Sequence, residues 1–160
     1  MQEPQILTIE EKKLIGMRVI TSLADDSARA LWRQFMPRRS EIKNKIGTEL
    51  YSVQDFGNGI DLSQFTPLTQ FDKWAAVEVS DLGAIPEGME AFTLPGGLYA
   101  VFRHKGPAAA FPETAEYIFD QWLPQSGYSL DGRPHFEILG ENYPGPDDPN
   151  AEEDVWIPLK

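Results

Sequence analysis

The chain has 160 residues, 41% of them hydrophobic, and carries 25 acidic against 14 basic side chains, a formal net charge of −11. A surface this negative repels phosphate backbones, which argues against a nucleic-acid interface and leaves solubility or attraction for cations as the use of the charge. There is no cysteine, so disulfides, thiol nucleophiles and thiolate metal sites are excluded, and a reducing, cytoplasmic setting fits.

The opening MQEPQILTIEEKK lacks a basic start followed by an apolar run, and no stretch is long enough to span a bilayer, so neither leader nor membrane anchor is expected. QILTIEEKKLIGMRVIT reads as extended structure interrupted by the charged turn Glu10 to Lys13. A helix follows, capped by Asp26 or Ser27, with Ala28, Leu31, Trp32, Phe35 and Met36 on one face. ELYSVQDF is a short strand, Pro67 breaks the loop after it, and a further strand begins at Lys73. EAFTLPGGLYAVFRHKG gives two extended pieces around a Pro95-Gly96-Gly97 turn, read as a hairpin. The second helix follows Pro112, places Phe111, Ala115, Ile118, Phe119 and Trp122 on one face, and ends at Pro124 and Gly127. PHFEILGENY and VWIPLK are strands separated by the acidic loop PGPDDPNAEED. Trp32 and Trp122, in the two helical stripes, are expected in the core.

The order strand, helix, strand, strand thus occurs twice, in halves of about 5–81 and 90–160. Arg18 aligns with Arg103, Tyr51 with Phe136 and Trp74 with Trp156 at a nearly constant offset. The fold class is therefore α+β, with two strand-helix-strand-strand units related by a pseudo-twofold. Each half is too small for an independent core, so one domain over 1–160 is expected, with an antiparallel sheet, both helices on one face, and a groove between the halves. Strand side chains alternate between faces. Taking Phe136 and Ile138 as helix-facing sends Glu137 and Leu139 to the other face. Val155, Ile157 and Leu159 assign Trp156 to that other face, and Ala75 and Val77 assign Trp74 to it; Ser52 becomes the partner of Glu137. Two tryptophans around one carboxylate suit a flat apolar cation, through stacking, cation–π attraction and a countercharge at reduced dielectric.

The segments LPGGLYAVFRHKGP, DQWLPQSGY, HFEILGENY and DDPNAEEDVWIPLK, taken in order, resemble the GyrI-like small-molecule-binding family, the effector-binding domain of AraC-type and MerR-type multidrug regulators. The resemblance covers nearly the whole chain and is strongest from Leu94 to Lys160. It implies two strand-helix-strand-strand units and a groove for bulky aromatic, often cationic compounds. It further implies that the acid in the strand after the second helix, here Glu137, contacts the ligand. Such regulators carry a helix-turn-helix domain, for which this sequence has no room, so a stand-alone protein that sequesters or senses xenobiotics is expected.

The expected ligand-binding residues are therefore Glu137, Trp74, Trp156, Leu139, Ser52 and Tyr143, with no cofactor, no metal, no nucleic-acid or membrane partner, and a monomer or weak dimer. Two alternatives stand beside this. Some family members resemble hydrolases of strained electrophilic rings, in which Glu137 would serve as general base with help from Ser52, Tyr143 or Glu78. Another branch inhibits DNA gyrase as a protein partner. His104 and His135 lack a third ligand for a metal site, and the acids from Asp147 to Asp154 lack calcium-loop spacing.

Overall fold

The computed structural model describes residues 3–57 and 64–160. Its first half contains β1 (Gln5–Ile9), β2 (Lys12–Thr21), α1 (Ala28–Phe35) with a 3-10 turn at Met36–Glu41, β3 (Leu50–Asp55) and β4 (Phe71–Glu78). The second contains β5 (Glu90–Leu94), β6 (Gly97–Lys105), a helical run and the strands β7 (His135–Leu139) and β8 (Glu152–Leu159). That helical run comprises α2 (Phe111–Glu116), a π-helical segment (Tyr117–Trp122) and α3 (Leu123–Ser126). Pro124 has no N–H, and its ring crowds the carbonyl four residues back, which accounts for the widened register just before it. Gly127, at φ 81°, closes the run in the left-handed conformation that glycine adopts without penalty.

The strands form one antiparallel sheet in the order β1-β6-β8-β7-β3-β4-β2-β5. Reading outward from the centre, β3 matches β7, β4 matches β8, β2 matches β6 and β5 matches β1. The pseudo-twofold therefore passes between β3 and β7, where Ser52 lies directly opposite Glu137.

The edge strands are exchanged between the halves: β1 pairs with β6, and β5 pairs with β2. The Pro95-Gly96-Gly97 turn is thus not a hairpin, because the strands it joins pair elsewhere. Glu10 and Glu11 alone connect β1 to β2, although these are the first and seventh strands across the sheet. At about 3.8 Å per residue such a link cannot span a flat sheet, so the sheet must curl until its ends meet. The two crossover turns touch there: a Cβ on Gly96 would lie 2.6 Å from the Ile9 carbonyl oxygen and 2.8 Å from the Glu11 nitrogen. Both are backbone atoms, so Gly96→Val is expected to destabilise the fold by about 1–3 kcal/mol, as other overpacked sites do. Urea denaturation tests this, and an unchanged midpoint would mean that the turns are free to separate.

Curling gives the sheet an inside and an outside. The inside is filled by Leu14, Tyr51, Val53, Trp74, Leu94, Tyr99, Phe136, Ile138 and Trp156, all buried. Outside, α1 packs Leu31 and Phe35 on Ile15, Ala75 and Val77, while the second helical run packs Ile118 on Ala100, Phe102, Val155 and Ile157. Both helices lie on one face, as expected from their apolar stripes. Ser27 holds the N-cap position of α1 without a side-chain cap bond, and Asp26 just before it accepts the Ala28 N–H on Oδ1 at 2.9 Å. Trp32 and Trp122 are only partly buried, at the margins of the two outer cores rather than within them.

Candidate functional site

α1 rests on β2 and β4, and the second helical run rests on β6 and β8. The outer face of the two central strands lies between them as the floor of a groove. Pairing registers place Leu50, Ser52 and Gln54 of β3 on this floor beside Leu139, Glu137 and His135 of β7. Lys73 of β4, paired with Gln54, and Glu153 of β8, paired with Leu139, complete it.

Here the parity expected for β7 is reversed. Phe136 pairs with Trp156 on the inside of the sheet, stacked at 5.3 Å between ring centroids, and Ile138 joins the same interior cluster. Glu137 therefore faces the helix side. Trp74 and Trp156 do share one face, but it is the inner one, where they are buried and do not flank Glu137. The apolarity of Phe136 and Ile138 marked burial correctly; the curled sheet buries residues on its inner face as well as on its helix face. Ser52, Leu139 and Glu137 are brought together, Glu78 is not: it accepts from the Tyr51 hydroxyl at 3.3 Å on the inner side.

A chain of polar groups crosses the groove floor. Lys73 Nζ donates to Ser52 Oγ at 2.7 Å, and Gln54 Nε2 lies 3.4 Å from Ser52 Oγ and 3.3 Å from Glu137 Oε1. Burial pushes the Glu137 carboxyl up to about 7; the Lys73 charge opposes this, Glu153 adds to it, and the Gln54 hydrogen bond and His104 oppose it more weakly. Glu153 is also pushed up by burial and is likewise relieved by Lys73. Tyr143, in the loop after β7, has its hydroxyl pushed up to about 12 by burial and by Glu153, Asp147 and Glu137. That loop is tied to α1 by an exposed Arg29–Asp147 ion pair of 2.7 Å, which contributes little energy but crosses from one half to the other.

Aromatic rings stand at the His135 end of the floor. Phe56 lies 5.1 Å from Phe71, 5.6 Å from Phe65 and 5.2 Å from the His135 ring, and Phe119 of the second helical run lies 6.0 Å from His135. Burial lowers the His135 ring to about 4, so it is neutral and acts as one more apolar surface. Sequence reasoning missed Lys73, Gln54, Glu153, Phe56, Phe65 and Phe71. Lys73 has the same strand parity as Ala75 and Val77, and QDF, SQF and TQF set three phenylalanines in a polar stretch; those were the available signals.

The two histidines do not form a pair: His104 is buried against Thr114, with Nδ1 and Oγ1 2.7 Å apart. Among the described residues no group of three or more metal-ligating side chains is gathered, and no helix is long and apolar enough to cross a membrane. A separate cleft of about 470 Å³ lies between β1 and the second helical run, lined by Ile6, Tyr117, Trp122, Tyr128 and polar side chains. Neither Glu137 nor Glu153 lines it.

A twofold-repeated, curled antiparallel sheet with an acid-floored groove between its two helical elements is the architecture of a small-molecule-binding module. Residues 2–160 match the model of the GyrI-like small molecule binding domain, and the chain belongs to that family. It is 34% identical over 146 residues to the transcriptional regulator BrlR of Pseudomonas aeruginosa, covering 91% of this chain and 51% of that protein. The chain thus spans about half the length of this curated relative. Among solved structures, the EcmrR C-terminal domain superposes with a TM-score of 0.70 at 19% identity, over 99% of this chain and 97% of that one. SAV2435 bound to tetraphenylphosphonium gives a TM-score of 0.70 at 16% identity, over 99% and 94%. At these identities the likeness is one of fold. EcmrR has also been seen in a complex with DNA, so the exclusion of nucleic acid inferred from net charge has no support from the relatives.

Proposed function

We propose that the groove between the helices binds bulky aromatic cations and that the chain senses or sequesters such compounds. The observation that carries this reading is the Glu137 carboxylate, half-buried on the groove floor with Glu153 nearby and Lys73 as the positive side chain that acts on both. A cation entering there recovers the electrostatic cost of burying the acid, and the partly exposed Phe56 and Phe65 rings, packed on the buried Phe71, supply stacking surface. Calorimetric titration with tetraphenylphosphonium and with neutral triphenylphosphine oxide tests it, together with amide NMR mapping of the bound cation. Saturable cation binding with shifts centred on β3 and β7 is expected. No saturable binding, or shifts confined to the Trp122–Tyr128 cleft, would reject the groove.

One observation favours a second reading. A carboxyl poised near 7 is matched to general-base work at neutral pH, so Glu137 could activate a water against an electrophilic ligand. Product analysis after prolonged incubation with strained electrophilic aromatics decides between the two; unchanged ligand leaves only binding.

A further inference from the structure

We infer that Lys73 is the groove's resident cation: its ammonium occupies the electrostatic place a cationic ligand must take, so this residue sets how strongly cations are held. The inference rests on reading the groove as a cation site.

Two carboxyls, Glu137 on β7 and Glu153 on β8, share the floor, and Lys73 is the positive side chain acting on both. Yet among the described residues Lys73 makes no ion pair with either acid. Its hydrogen bond is to Ser52 Oγ, at 2.7 Å, and Ser52 sits directly across from Glu137. Gln54, opposite Lys73 on the neighbouring strand, spans from Ser52 to Glu137. The ammonium is therefore held by a neutral, exchangeable partner close to both acids. A compact charge on a flexible four-carbon stem can be drawn out into solvent without disturbing the strand that carries it. A ligand cation arriving over Glu137 meets like-charge repulsion from Lys73 until that side chain leaves. Lys73 thereby reduces the unproductive cost of two bare acids in the empty groove and competes with every cation that enters. A neutral aromatic ligand is not subject to this competition.

The decisive comparison is tetraphenylphosphonium binding to wild type, Lys73→Met, Lys73→Arg and Glu137→Gln at pH 8.5, with triphenylphosphine oxide as the neutral probe. Lys73→Met should bind the cation about ten-fold more tightly, the order expected when a nearby like charge is removed at intermediate dielectric. Lys73→Arg should stay near wild type, and the neutral probe should be unaffected by either change. In wild-type protein the Lys73 Cε resonance should shift toward that of a solvent-exposed lysine as the cation saturates, a measurement independent of how the variants fold. Equal or weaker cation binding by Lys73→Met, with Glu137→Gln still impaired, would overturn the inference while leaving the cation site standing. A stationary Lys73 resonance at saturation would overturn it as well. Equal binding by wild type and Glu137→Gln would overturn the underlying reading instead.

Discussion

Phe136→Ala is expected to lower the free energy of unfolding by about 3–5 kcal/mol, the range found when a fully buried aromatic is truncated. The ring has no exposed surface and sits at the middle of the inner core. It stacks on Trp156 at 5.3 Å and on Tyr51 at 6.1 Å, and meets Tyr99 edge-on at 5.4 Å. Those partners come from β3, β6 and β8, so one side chain ties together strands of both halves. The interior of a curled sheet cannot collapse easily onto a void, because the strands that form its wall are held to one another by hydrogen bonds across the sheet. The loss is therefore expected toward the upper end of that range, a large share of the roughly 5–15 kcal/mol that holds a typical domain. Urea unfolding of the purified variant measures it. A loss under about 1 kcal/mol would mean that Phe136 is not enclosed, and would undo the assignment of Glu137 to the opposite face.

The repeat was legible because it is local: Arg18 and Arg103, and Trp74 and Trp156, recur with their neighbours in like order. Both arginines pair with two acids of neighbouring strands, Arg18 with Asp72 of β4 and Glu90 of β5, Arg103 with Glu152 and Asp154 of β8. The pairing of Ser52 with Glu137 followed from the same repeat. The facing of β7 did not follow, because in HFEIL both alternating sets hold apolar residues and parity alone cannot choose between them. What decides is the curl of the sheet, which depends on β1 pairing with β6 and β5 with β2. Those pairings join residues distant in sequence and leave no periodic signature. The aromatic end of the groove was hidden for a related reason: Phe56 and Phe65 belong to no strand or helix, and only the tertiary fold brings them to Phe71 and His135.

Glu137→Gln keeps the shape of the floor and removes its charge. At pH 8.5 it should weaken binding of tetraphenylphosphonium by about 1–3 kcal/mol, or roughly 5- to 150-fold, as when a charged partner is lost from a partly buried site. The pH dependence gives a sharper signature. In the empty protein the Glu137 proton is held up to about pH 7. Below that pH a cation must displace the proton, so wild-type affinity should fall as pH falls, by as much as ten-fold per unit, while that of Glu137→Gln stays comparatively flat. Stability should run the other way. The unfolded chain releases this proton near 4.5 and the folded protein near 7, so between these values the folded state binds more protons and loses stability as pH rises. The penalty begins near pH 4.5 and is fully developed above about 7. Glu137→Gln escapes it, and its melting temperature should exceed that of wild type at pH 8 and match it at pH 4.5. Calorimetric titrations and melting curves at these pH values measure both effects. A variant that bound cations as wild type does and melted with it at pH 8 would show that Glu137 is solvated and without strain, and that the groove has no use for its charge.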